Sequence, residues 1–334
     1  MLFKKNKKEI DQEAAKSQKP KGKASKKKTI IIYSLASVFT VCLGIGAGVL
    51  AHHFLGDTKA TDYANVNGDK LRDDPSIARD KFEQAKKKGT AYDEALKPYE
   101  MVNVALEQYN ALPSTKTVGL GAAEAMKVNQ VIQSIQIKNG DKYFEESNST
   151  SAFVNLYDRM YQEGDTTTTY WGGDINYASH EKKEYSNADY AALMGRNVSD
   201  TMIYVISSKT STSNEGNVKS PYGPSRIIKE NGGYTVDLEL HPVNAVVNYV
   251  CQMQNISGLD GKPSFIYCHL TFHLDGNLMP LDYTSYEQYT AKKTGIPITT
   301  TITGSLTTYF YQGETYEIPT LQSETQSEYK AIEK

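Results

Sequence analysis

The chain has 334 residues, and its 37 basic and 39 acidic side chains nearly cancel, but they are unevenly placed. The first 28 residues hold eleven lysines against Glu9, Asp11 and Glu13, which leaves 26 basic and 36 acidic residues for the part after Ala51. Such an acidic portion argues against nucleic acid as a partner, because phosphate neutralisation needs clustered Lys and Arg.

Residues 29–51 carry no charge. The run from Ile30 through Leu35, Val41, Gly44, Gly48 and Leu50 is long enough, at about 1.5 Å per helical residue, to cross a hydrocarbon layer of roughly 30 Å. A cleaved signal peptide is the rival reading, but its apolar region is normally about 7–15 residues and its charged region short. The lysines ending in Lys26-Lys27-Lys28 put the N-terminus in the cytoplasm. Gly44 and Gly48 form a small-xxx-small pair that would let another helix approach closely. The expectation is a single-pass cell-membrane protein: a basic cytoplasmic tail at 1–28, a transmembrane helix at 29–51, and an extracytoplasmic remainder.

Residues 52–97 read as a stalk and a charged helix, with Asp74 as N-cap, Pro75 in the first turn and Gly89 past a lysine-rich end. A domain is expected over 98–313. It opens with a helix from Pro98 whose Val102, Ala105, Leu106 and Tyr109 share one face. From Thr115 the period changes to two, through Val131, Ile135 and Ile137, and Asn139-Gly140 then supplies a hairpin turn. A short helix at about Ala188 to Met194 is stopped by Gly195, and a long polar loop runs from Ser207 to Pro224. Val236, Leu238 and Leu240 mark a strand. Pro242 is expected to open a helix striped with Val243, Val246, Val247, Val250 and Cys251. The strand Phe265 to Leu274 places Ile266, Cys268, Leu270, Phe272 and Leu274 on one face and Tyr267, His269, Thr271 and His273 on the other. Strands from Leu278 to Ala291 and Ile298 to Tyr311 complete the sheet, and 314–334 reads as a polar tail that frays.

Cys251 and Cys268 both fall on apolar faces. A disulfide, which an oxidising space permits, and a pair of free core thiols both fit that placement. His269 and His273 share a strand face about 13 Å apart, too far to hold one metal, and read as half-exposed surface residues. His180-Glu181-Lys182-Lys183-Glu184 has Glu184 where a zinc-protease helix needs its second histidine. Ser179-x-x-Lys182 and Lys293-Thr294-Gly295 echo penicillin-recognising enzymes, but no Ser-x-Asn element lies between them. No metal, cofactor or catalytic set is implied. Tyr283, Tyr286, Tyr289, Tyr309 and Tyr311 suit the half-wet face of a sheet.

The helix at Val102 to Tyr109, the Asn139-Gly140 hairpin and the strand-helix-strand passage from Tyr234 through Asn248-Tyr249 to Asp275-Gly276 resemble the LolA/LppX-like envelope proteins, which include lipoprotein carriers. The resemblance implies an α+β fold, a curved antiparallel half-barrel with helices on its concave side. It also implies a non-enzymatic role at the outer membrane face, binding an apolar ligand or a lipid-modified partner. The alternative is a membrane-anchored interaction or structural module that docks an envelope protein and takes no small ligand.

Overall fold

The computed structural model describes residues 68–151, 155–212, 217–230, 232–257, 261–292 and 299–332. The basic tail and the apolar run with Ile30, Leu35, Val41, Gly44, Gly48 and Leu50 lie outside them. Among the described residues no helix is long and apolar enough to cross a membrane.

The described residues begin with α1 (Gly68–Leu71), α2 (Pro75–Lys88), α3 (Tyr92–Ala95) and α4 (Pro98–Asn110). Asp74 is extended and its carboxylate accepts the Ser76 amide at 2.9 Å, while Gly89 closes α2 at φ 67°, a conformation a side chain would oppose. The charged surface of α2 conceals buried Ala78, Phe82 and Ala85. The helix therefore packs on α4 and is part of the folded body. On α4, Val102, Ala105, Leu106 and Tyr109 are all buried, as their spacing predicts. Each such side chain contributes roughly 1.5–3 kcal/mol by leaving water. Tyr109 keeps its hydroxyl satisfied, its one proton facing the Lys116 carbonyl at 2.7 Å and the Tyr311 carbonyl at 3.0 Å.

A meander follows: β1 (Ser114–Ala125), β2 (Val128–Asn139), β3 (Lys142–Ser151), β4 (Asn155–Glu163), β5 (Thr166–Trp171) and β6 (Glu181–Ser186). After α5 (Asn187–Met194) come the short β7 (Ser211–Thr212), then β8 (Arg226–Glu230) and β9 (Gly233–Leu240). Helix α6 (Val247–Ser257) and strands β10 (Ser264–Asp275), β11 (Pro280–Lys292) and β12 (Thr299–Tyr311) lead to α7 (Gln326–Ile332). All pairings are antiparallel, in one open, curved twelve-stranded sheet ordered β6-β5-β4-β3-β2-β1-β12-β11-β10-β9-β7, with β8 also on β9. The fold is α+β.

Since β6 and β9 sit near opposite edges, the chain between them must cross the sheet. It does so over the inner face, where Met202, Tyr204 and Ile206 join a core with α2, α4 and the inward residues of β9 to β12. The outer face is covered separately, by residues 217–225 over β9 and β10 and by the C-terminal segment over β1 to β4.

Several expectations are corrected. The helix begins at Val247, five residues after Pro242, because the Ala245 carbonyl is taken by the crossing segment's Val205 amide at 2.8 Å. Ile266 is 39% exposed, because the register shifts between Phe265 and Tyr267 and turns Phe265 inward in its place. Tyr283 and Tyr289 are buried in the core, whereas Tyr286, Tyr309 and Tyr311 lie on the outer face. The C-terminal segment does not fray; it is laid against Val118, Ile135, Ile137 and Phe144, with Tyr329 buried among them.

Cys251 and Cys268 are both free thiols. Cys268 points into the core, but Cys251 faces α5, its Sγ donating to the Ala192 carbonyl at 3.7 Å. In a Cys42→Ser background, a maleimide is therefore expected to modify Cys251 in the native protein and to reach Cys268 only after unfolding. Release of both thiols only by a reductant would show a bridge instead.

Candidate functional site

A cavity of about 430 Å³ opens between α2, α4 and the crossing segment. Its wall is assembled by helix periodicity and by the sheet-crossing connection. Ala78 and Leu106 come from the buried stripes of the two helices, and Met202, Tyr204 and Ile206 from the chain that passes beneath them. Ile77 stands at the edge, 52% exposed. The crossing segment is fixed by Asn103, whose Nδ2 donates to the Ile206 carbonyl at 3.1 Å. It is also held by Asp73, which accepts the Ser208 amide at 2.6 Å and its hydroxyl at 2.7 Å.

Charge around the mouth is mostly negative: Asp73, Asp74, Glu100, Glu107 and Asp200 against Arg72. Part of it is neutralised nearby. Buried Glu100 accepts the Lys81 ammonium at 2.5 Å and the Lys97 amide at 2.9 Å, and Glu107 accepts Arg79 at 2.6 Å. Hydrogen bonds from Ser76 hold the exposed Asp74 carboxyl below its ordinary value. Arg72 and Asp200 also border a more open depression of about 550 Å³, with Asp69, Arg196, Asn197 and Asn248 around it.

Behind the cavity wall lies a buried acid. The Tyr204 hydroxyl donates to Glu287 Oε2 at 3.1 Å, and the Tyr249 hydroxyl to Oε1 at 3.2 Å. Burial pushes the Glu287 carboxyl up to about 7, with the two phenol hydrogen bonds opposing in part. Across the ladder stands Cys268, whose thiol burial drives well above its ordinary value. Near neutral pH the cavity floor thus rests on a group that is part protonated.

A second ionisable group of residues is buried on the outer face. His269, read from sequence as half-exposed, is fully buried between Asp237 and Glu239, at 3.6 and 3.5 Å, and its Nδ1 lies 3.2 Å from the Ser220 hydroxyl. The loop 217–225 makes the difference. Its Lys219 and Ser220 amides donate to Glu239 at 2.8 and 3.2 Å, and Tyr222 stacks on Tyr286 with ring centres 4.1 Å apart. Burial lowers the His269 value, but the hydrogen bonds and charges of Asp237 and Glu239 overcome it, leaving a net rise. Burial opposes ionisation of Asp237 as well, yet bonds from His269, Arg226 and Thr271 bring it down to about 2. His273 pairs with Asp282 at 2.6 Å and is half-exposed. The two histidines do not meet at one site.

Sequence reasoning missed Glu287, whose neighbours Tyr204 and Tyr249 come from distant segments. Its one signal was its place among inward-facing Tyr283, Ser285 and Tyr289 on an alternating strand.

No family model matches the chain, and no curated protein matches it. Among solved structures, LprF from Mycobacterium bovis is similar at 10% identity and a TM-score of 0.32, over 67% of this chain and 96% of that one. A putative outer membrane lipoprotein-sorting protein domain from Vibrio parahaemolyticus is similar at 11% identity and a TM-score of 0.23, over 70% of this chain and 97% of that one. A DUF1329 family protein from Desulfovibrio piger is similar at 10% identity and a TM-score of 0.22, over 64% and 90%. The likeness is weak.

Glu287 makes a testable contribution to stability. Its folded value lies above the ordinary 4.5, so between about pH 4.5 and 7 the native state binds more protons than the unfolded state and stability falls as pH rises. The loss is on the order of 3 kcal/mol. His269, raised above 6.5, also loses its contribution as pH rises, but at higher pH. Urea melts at pH 5 and pH 8 should therefore show a smaller drop for Glu287→Gln than for the wild type. Equal drops would show that Glu287 is not the buried acid drawn here.

Proposed function

We propose that this chain is a non-enzymatic cell-envelope protein that binds an amphiphile or a lipid-modified partner in the α2–α4 cavity. In this reading the 29–51 span holds it in the cell membrane, with 1–28 in the cytoplasm and the folded body outside. The observation that carries the proposal is the cavity itself, whose volume of about 430 Å³ lies inside the usual range of small-molecule sites. Aliphatic and aromatic side chains, among them Ala78, Leu106, Met202, Tyr204 and Ile206, share its lining with polar and acidic ones. Covering those apolar side chains with a hydrocarbon chain gains about 25 cal/mol per Å² taken from water.

The acidic mouth narrows the ligand. An amine-bearing or hydroxyl-rich head meets complementary groups there, whereas a phosphate or carboxylate head meets like charge. A second reading, docking of an envelope protein without a small ligand, draws on the outer face, where Tyr222 is 41% exposed while stacked on Tyr286. Exposed aromatic rings with polar tips are favoured at protein interfaces.

A neutral apolar fluorophore such as N-phenyl-1-naphthylamine separates the two. The wild type is expected to bind it, and Ala78→Phe, which fills the floor, to bind at least about tenfold more weakly, a difference of roughly 1.4 kcal/mol. Ile228→Phe, on the distant edge strand β8, should leave binding unchanged. Equal binding by all three proteins, or none by the wild type, would favour the docking module.

A further inference from the structure

The C-terminal segment is attached to the body in an unusual way. Among the described pairings of the sheet none involves a residue after Tyr311, so the segment is not a strand of the fold. It is held from below by one charge pair, Arg159 and Glu146, both fully buried, with Arg159 Nε 2.7 Å from Glu146 Oε2. Three further bonds from Arg159 go to main-chain carbonyls of the segment, Thr320 at 2.8 Å, Leu321 at 3.1 Å and Ser323 at 2.6 Å, and Nη1 also lies 3.4 Å from the Tyr161 hydroxyl. The other oxygen of Glu146 accepts the hydroxyls of Thr325 and Tyr329, the latter at 2.8 Å. Around this polar centre lie the apolar side chains Val118, Ile135, Ile137 and Phe144.

This is how a surface reads a peptide. A guanidinium that spends its donors on backbone carbonyls selects a chain conformation, while a carboxylate placed to accept two hydroxyls four residues apart selects a sequence. The apolar surround supplies area. The hinge is short: β12 ends at Tyr311, and Gly313 turns the chain at φ 88°, in the region that favours glycine. A bound segment on such a tether owes its occupancy to a high effective concentration, and an identical segment from another molecule can replace it without any new contact.

We propose that the outer face of β1 to β4 is a peptide-docking surface, filled in cis by residues 314–332, whose partner in trans is the same segment of a second copy of this chain. The closing partner is specified by Thr325 and Tyr329 reaching Glu146 and by the carbonyls at 320, 321 and 323 reaching Arg159. A salt bridge from Lys116 to Glu328 at 3.0 Å adds charge complementarity at the rim. The inference is independent of the cavity on the inner face, so failure of either leaves the other standing.

The test uses the full-length chain and a fluorescent synthetic peptide of residues 314–334. A Thr325→Ala/Tyr329→Ala double variant weakens the cis occupant and should bind the peptide at least roughly tenfold more tightly than the wild type, whose own segment competes. Adding Arg159→Met to the double variant should abolish that binding. A folded double variant that gains no affinity, or that keeps it after Arg159→Met, overturns the proposal. Should the double variant not fold, the wild type decides. Two differently tagged populations, incubated together at high concentration, are expected to co-purify, and excess free peptide should prevent it. Absent co-purification, or co-purification indifferent to the peptide, overturns the proposal.

Discussion

The governing constraint is that one open antiparallel sheet has two faces, and helices cover only part of each. A strand exposes alternate side chains to opposite sides, so each of the two faces must be covered or remain polar. On the inner face, α2, α4 and the crossing segment cover β9 to β12 and leave the 430 Å³ cavity where they diverge. On the outer face the cover is improvised from a loop over β9 and β10 and from the C-terminal segment over β1 to β4. In both places the strands place charged residues on the covered side, and the cover supplies their partners.

The two buried polar centres on the outer face follow the same rule. Taking an ion out of water costs several kcal/mol after relaxation, so a buried charge persists only with a counter-ion and its remaining hydrogen bonds satisfied. Arg159 meets that condition with Glu146 and carbonyls of the C-terminal segment; Glu239 meets it in part, its Oε1 accepting the Lys219 and Ser220 amides while its Oε2 faces His269 at 3.5 Å with no hydrogen bond of its own. Glu287, on the inner face, has two phenols and no cation, and responds by holding its proton to higher pH. Each centre ties a non-sheet segment to the sheet.

Much of the local structure was legible in the sequence. Asp74, Pro75 and Gly89 bound α2, the apolar stripe of α4 is buried as spaced, and Gly140 turns the β2–β3 hairpin at φ 62°, because caps, stripes and tight turns are decided within a few residues. What was misread depends on distance along the chain. His269 sits on a strand face that looks wet by alternation, and it is covered by Ser220, 49 residues away. The polar composition of 314–334 argued for fraying, yet its hydroxyls and carbonyls are the groups that a buried ion pair requires. Cys251 was assigned to the core from an apolar stripe whose buried line runs through Val246, Val250 and Met253 and leaves Cys251 beside it, facing α5.

The central claim is that the inner cavity holds an amphiphile. Full-length protein purified gently from the cells that express it and analysed by native mass spectrometry, followed by organic extraction, addresses this most directly. The account predicts a bound molecule near one per chain, with an apolar chain and an amine-bearing or hydroxyl-rich head, which disappears from the Ala78→Phe protein. A chain that emerges bare, or one that carries the same molecules with the cavity filled, would contradict it.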